Sequence, residues 1–273
     1  MSSLASTRRA PLLTVYAALV FVFIYLPVVV LIFYSFNRDG VGGFPPRHFT
    51  LDWYRQLFAD VPIWDAVVNS LIVAAGSVAL SLTLGLLAAL ALDRATFSGK
   101  ALFRRLVLLP LILPGIITGL SLLMFAVFVG AQLSLFTIFL GHGTALIAVA
   151  TTELFAGLQK MDRAQEEASL DLGATPWQTF WRVTLPNLKL SLIAAGLLIF
   201  TLSMDEIAVT FFLIGRYNTL PLEIWGRLRR GITPEINAVS TLIFAVSVAL
   251  IVIWYRIRTR GLGADAQELL ERT

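Results

Sequence analysis

Long apolar runs, separated by short polar stretches, set the pattern of this chain. The runs cover about 12–36, 66–92, 106–129, 136–158, 188–213 and 236–255. An α-helix needs roughly 20 apolar residues to cross the hydrocarbon of a bilayer, and each run qualifies. The connections between them are polar or carry Pro and Gly, and none is long enough to form a soluble domain. The pattern predicts an all-α integral membrane protein, one domain over residues 1–273, built on six transmembrane helices. Arg8 and Arg9 before the first run imitate a signal peptide. That run is far longer than a cleavable apolar region and no small-residue cleavage site follows it, so it reads as the first helix.

Charge supplies an orientation. With the N-terminus inside, Arg94, Lys100, Arg104, Arg105, Lys160, Arg163, Arg182, Lys189 and the arginines after residue 255 all fall on the cytoplasmic side. Arg38, Arg47, Arg55, Arg216, Arg227, Arg229 and Arg230 fall outside, a minority of the 21 Lys and Arg. Positive residues gather on the cytoplasmic side of membrane proteins, so both termini are expected there. At 58% hydrophobic and 14% charged, the chain is too apolar for a soluble class. The isoelectric point near 9.7 follows from these flanking cations, and no basic patch interleaved with aromatics points to nucleic acid.

One polar connection, 161–186, is more organised than a linker requires. Residues 163–172 favour helix, and Gly173 stands where a helix C′ residue adopts the left-handed conformation. A new start follows at once: Thr175 as N-cap, Pro176 at the first helical position and Gln178 as the reciprocal partner of a capping box. Trp177, Phe180 and Trp181 then form a short aromatic face that Pro186 is expected to end. A surface helix–turn–helix of this kind suits a grip by another protein.

Candidate chemistry is sparse. There is no phosphate-binding G-x-x-x-x-G-K-[ST] loop, no H-E-x-x-H and no G-x-S-x-G, so no catalytic residues are assigned and ATP hydrolysis is not expected of this chain. There are no cysteines, and the two histidines, His48 and His142, are too few and too far apart for a metal cluster. His142 reads as an ordinary helix-start or interfacial residue. Glu166 and Glu167 read as solvated residues of an exposed cytoplasmic helix. Acids at membrane depth differ, because a charge there costs about 2.5–3.5 kcal/mol on insertion scales and usually faces a cavity or partner. Asp205 and Glu206 are expected inside the fifth helix, Asp205 about 6 Å outside its midpoint, with side chains about 100° apart. Thr201, four residues before Asp205, would share its face. Glu153 in the fourth helix lies about 10 Å from Lys160 along the axis, where a gate, a snorkelling residue and a substrate contact are all open readings. Pro110, Pro114, Gly115 and Gly119 interrupt the third helix and free backbone groups that must be buried or line a wet cavity.

The string at Glu167, Ala168, Ser169, Leu170, Asp171, Leu172, Gly173 and Ala174, with Phe180 and Leu185-Pro186 beyond, resembles the cytoplasmic EAA loop of permease subunits of bacterial binding-protein-dependent ABC importers. Further segments are similar to the spermidine/putrescine permease subfamily. They are Ser35–Asn37, Leu51–Tyr54, Asn69–Leu71, Phe97–Lys100, Phe200–Glu206, Leu220–Trp225 and Thr233–Ala238. The resemblance implies the type I ABC importer permease fold in the bacterial inner membrane. It implies Glu166, Glu167, Ala168, Asp171, Gly173, Ala174 and Pro176 as residues coupling to an ATPase, and Asp205 and Glu206 as substrate-path carboxylates, with Thr201 and Glu153 candidates for the same path from their placement. Partners implied are a homologous second permease, two ATPase subunits that bind ATP and Mg, a periplasmic binding protein, membrane lipid and a small-molecule cargo. Arg227, Arg229 and Arg230, outside against the charge bias, are candidates for docking the binding protein. Subfamily members that carry polyamines commonly place an acid just after the third-helix proline, where this chain has Gly115. An amino-acid-like compound, an opine or a phosphonate therefore stays open as cargo beside a polyamine. A secondary transporter or channel is the rival class, weakened by the absence of a convincing internal duplication.

Overall fold

The structure, a computed structural model, describes residues 9–38, 48–231, 233–249, 252 and 256. Among these residues β structure is limited to an isolated antiparallel bridge between Asn37 and Phe49. The helices are α1 (Arg9–Ser35), α2 (Asp52–Ala59), α3 (Val61–Arg94), α4 (Lys100–Leu108), α5 (Gly115–Phe128), α6 (Leu135–Lys160), α7 (Ala164–Asp171), α8 (Pro176–Thr179), α9 (Leu185–Asn187), α10 (Lys189–Met204), α11 (Ala208–Leu213), α12 (Leu220–Arg230) and α13 (Pro234–Ala249). The chain divides into two units, one made of residues 1–61 with 226–273 and the other of residues 62–225.

In the first unit α1 is apolar around its circumference and no residue of its most apolar stretch is buried, as befits a helix surrounded by lipid or partners. The turn that follows is tied to α2. Trp53 donates through Nε1 to the Asn37 carbonyl at 2.9 Å, and the Ser35 and Tyr54 hydroxyls lie 2.7 Å apart. Asp60, just past α2, receives both guanidinium nitrogens of Arg227, Nη1 at 2.7 Å and Nη2 at 3.0 Å.

In the second unit α3 and α6 form a seam of small residues. Ser81 Oγ donates to the Gly143 carbonyl at 2.8 Å and Ser77 Oγ to the Phe139 carbonyl at 3.3 Å. Gly85 faces Ala150 so closely that a Cβ there would collide with it. In hydrocarbon, where helices gain nothing by hiding apolar surface from one another, such small side chains let backbones approach and disperse together. Two apolar clusters flank the seam. Ala89, Leu154, Leu158, Leu188 and Ala195 join α3, α6 and α10, whereas Val73, Ile138, Val209 and Leu213 join α3, α6 and α11.

Two expected continuous spans are broken. The run at 106–129 divides into α4 with a 3₁₀ turn at Leu109–Leu111, and α5, bent by 104°. Pro114 is the residue before α5, where its missing N–H costs nothing. The run at 188–213 divides at Asp205–Ile207 into α10 and α11. Among the described residues three helices are long and apolar enough to cross a membrane, and up to five spans result if each of two bent pairs counts as one. The expected sixth run, 236–255, is represented by α13 up to Ala249, and its remainder lies mostly outside the described residues.

Candidate functional site

The 161–186 connection folds as its local signals require. Gly173 has φ +85°, its amide bonds to the Leu170 carbonyl at 2.9 Å, and the Ala174 amide to the Ser169 carbonyl at 3.1 Å. This doubly bonded left-handed ending closes α7. Thr175 Oγ1 accepts from the Gln178 amide at 3.3 Å while Gln178 Oε1 accepts from the Thr175 amide at 2.9 Å, which opens α8. Trp177 then stacks on Phe180 and both meet Trp181 edge to face, with ring centroids 5.5 to 6.0 Å apart, and both tryptophans are exposed. Pro186 does not end this helix. A π turn at Phe180–Thr184, with the Leu185 amide reaching back to the Phe180 carbonyl, carries the chain into α9 and past the proline. The direction changes only at Leu188, where the segment bends by 66° into α10.

Glu166 is not solvated. Its carboxylate lies between helices, with Arg94 Nη1 at 2.6 Å and Nη2 at 2.9 Å, and it accepts from Thr184 Oγ1 at 2.5 Å. The side chain of Asp93, 1% exposed, accepts from Arg94 Nε at 3.1 Å, Arg163 Nη2 at 3.1 Å and Gln159 Nε2 at 2.5 Å. This cluster fastens the loop to the ends of α3 and α6. Each carboxylate holds several donors, which is the arrangement that offsets partial burial of a charge. Glu167, Ala168, Asp171, Gly173 and Pro176 are exposed and Ala174 is half-buried, so the first four of α7 and its turn face outward as a set.

The second group of residues gathers at the break between α10 and α11. Asp205 is the C-cap of α10, with φ −104° and ψ 1°. The expectation that Asp205 and Glu206 are successive residues of a straight helix is therefore corrected. Asp205 is exposed. Glu206 turns back, and its Oε1 accepts from the Val209 amide at 2.9 Å, capping α11. Thr201, also exposed, spends its hydroxyl on the Leu197 carbonyl at 2.9 Å. A Cβ at Gly115 would lie 3.7 Å from Glu206 Oε1 and 3.2 Å from Ala208 Cβ, so the position after the proline, which carries no acid here, adjoins an acid of the break between α10 and α11. Gly115 and Gly119 form one face of α5 against α11. At Gly119 a Cβ would stand 3.0 Å from the Ala208 carbonyl oxygen and the Val209 Cα. Glu153 is exposed on α6.

Of the three arginines in α12, Arg227 is half-buried and makes a paired contact with Asp60. Arg229 and Arg230 are exposed. The start of α12 is fixed to α3 by Ser70, whose Oγ accepts from the Leu220 amide at 2.8 Å, and by Asn69, which donates to the Asn218 carbonyl at 3.0 Å. His142 is the residue that sequence reasoning undervalued. It is 1% exposed on α6, with Nδ1 2.8 Å from Ser203 Oγ and Nε2 2.8 Å from Thr210 Oγ1. The available signal was its place inside an apolar run, where a polar ring must find partners.

Residues 81–262 match the family described as binding-protein-dependent transport system inner membrane component. The putrescine transport system permease protein PotI of Escherichia coli (strain K12) is 36% identical over 260 residues, covering 90% of this chain and 91% of that one. The spermidine/putrescine transport system permease protein PotC of Haemophilus influenzae is 31% identical over 247 residues, covering 90% and 94%. Among solved structures, a bacterial ABC transporter involved in import of the acidic polysaccharide alginate superposes with a TM-score of 0.72. It does so at 16% identity, over 95% of this chain and 98% of that one, which establishes the likeness of fold.

Proposed function

The chain belongs to the family of inner membrane components of binding-protein-dependent transport systems, and from that membership we propose that it forms half of the path of an ATP-driven importer for a polyamine. Similarity to putrescine and spermidine permease proteins over 90% of the chain is the observation that carries the cargo. A homologous permease supplies the other half, two ATPase subunits bind ATP and Mg, and a periplasmic binding protein delivers cargo. Both termini and the 161–186 loop lie in the cytoplasm in this reading, in keeping with the distribution of Lys and Arg. This chain performs no catalysis of its own.

The chemistry of the two groups supports those roles. The exposed Trp177 and Trp181 beside Gly173 and Ala174 offer rigid apolar surface on a loop whose base is held by ionic contacts, which suits seating in a groove of an ATPase. A diamine leaving water needs anionic oxygen along its route. Asp205 presents an exposed carboxylate at the end of α10, and Glu206, with Oε2 beyond its capping bond, lies next to Gly115. Arg229 and Arg230 remain the positions of α12 suited to an acidic face of the binding protein.

The test is uptake of labelled putrescine and spermidine by the complete complex reconstituted in vesicles with its binding protein. Wild-type complex should accumulate the amine, and Asp205→Asn should lower the rate strongly while assembly and binding-protein docking persist. Accumulation of an amino acid, opine or phosphonate in place of either amine would overturn the cargo. Uptake unaffected by ATP would overturn the importer itself.

A further inference from the structure

The break between α10 and α11 has no proline or glycine to explain it. Met204-Asp205-Glu206-Ile207 is compatible with continued helix, so something beyond local sequence holds the chain open. We propose that His142 is a positioning residue that spans this break and fixes the direction in which Asp205 and Glu206 are presented. Its ring touches the last turn of α10 through Ser203 and the first turn of α11 through Thr210, at 2.8 Å on both sides. It comes from a third helix, α6, and is flanked by Gly141 and Gly143, where a Cβ would run into Leu213 and Leu80. The helix can therefore approach closely enough for the ring to reach both neighbours.

The proton order follows from the partners. A hydroxyl carries one hydrogen. Thr210 Oγ1 donates its own to the Glu206 carbonyl at 3.0 Å, so at His142 it accepts, and Nε2 bears the hydrogen. Nδ1 is then the acceptor for the Ser203 hydroxyl. A single directed chain runs from Ser203 through the ring to Thr210 and ends on the carbonyl of Glu206. A phenyl ring of similar size would fill the space and transmit none of this. The Nε2–H imidazole matches one donor and one acceptor on opposite sides of the gap, which neither a hydroxyl nor an ammonium side chain does.

This inference rests on the reading that Asp205 and Glu206 face the cargo, and the test separates the two. In the reconstituted complex, the variants are His142→Phe, Thr210→Val and His142→Gln, whose amide keeps a donor and an acceptor. Each is made alone and with Asp205→Asn. His142→Phe and Thr210→Val should lower amine uptake about tenfold, the scale of one buried hydrogen-bond partner lost, with basal ATP hydrolysis and assembly retained. His142→Gln should recover part of the rate. In the Asp205→Asn background the same substitutions should add less, because one of the two carboxylates they position is already gone. Full additivity in both backgrounds would reduce His142 to general packing and overturn the proposal. A second measurement does not depend on cargo: the labelling rate of Asp205→Cys by a charged thiol reagent should change severalfold on adding His142→Phe or Thr210→Val. Unchanged labelling overturns the positioning role even if Asp205→Asn proves neutral, an outcome that by itself would fault only the cargo reading.

Discussion

Glu166 and Arg94 are 72 positions apart in sequence, yet their contact should be worth more than a surface ion pair, and a double-mutant cycle can measure it. Exposed pairs contribute about 0.2–1 kcal/mol, whereas removing one partner of a fully buried pair costs about 3–5 kcal/mol. Here the side chains keep 27% and 14% of their surface, which places the pair between those limits. Two charge-assisted bonds at 2.6 and 2.9 Å favour the upper part of that interval. Hydrogen bonds to charged groups contribute about 1.5–3 kcal/mol each, part of which water would return at this exposure. A coupling energy of about 1.5–2.5 kcal/mol is expected between Arg94→Met and Glu166→Gln. Gln keeps the volume and an oxygen for Thr184. Reversible detergent unfolding followed by fluorescence suits the measurement, because Trp177 and Trp181 stand on the loop that the pair secures. A coupling below about 0.5 kcal/mol would show that solvent competes freely at this contact, and the loop would then need another anchor.

Gly173→Val should abolish uptake and Gly173→Asn should retain much of it, as read by vesicle transport. A Cβ there meets nothing within 4 Å, so the penalty is the φ of +85° alone, about 1–2 kcal/mol for an ordinary residue and less for Asn. Arg227→Ala should lower the thermal midpoint of the purified complex by several degrees, because both of its outer guanidinium nitrogens bond to Asp60; a second variant, Arg229→Ala with Arg230→Ala, tests docking. A salt-sensitive loss of binding-protein docking in the second variant, and not in the first, would assign those two positions to recognition. Gly119→Ala should destabilise by about 1–3 kcal/mol in the same unfolding measurement, since its neighbours at 3.0 Å are backbone atoms that cannot rotate aside.

What could be read from sequence was local. The turn at Gly173 and the capping box at Thr175 depend on residues within a few positions, so the local order of residues placed both of them. The interruption near Pro114 was announced by its prolines, although its 104° bend was not. The break at Asp205 escaped notice because the groups that sustain it, His142, Ser203 and Thr210, are brought together only by packing. Glu166 was misjudged for the same reason. A pattern of charges on α7 says nothing about Arg94 waiting at the end of α3. Arg227 finds its partner 167 positions away, beyond any periodicity.

The glycine face of α5 bears on how the chain is built during synthesis. At six residues, α11 is too short to span a bilayer and cannot partition into one as an independent segment. Its seat is made by Gly115 and Gly119 of α5 and by Gly141 of α6, all of which leave the ribosome long before residue 208. The residues of that seat are thus synthesised before the half-helix itself. Substitutions at those glycines would therefore bear on whether α11 can be received at all, a step earlier than any meeting with cargo.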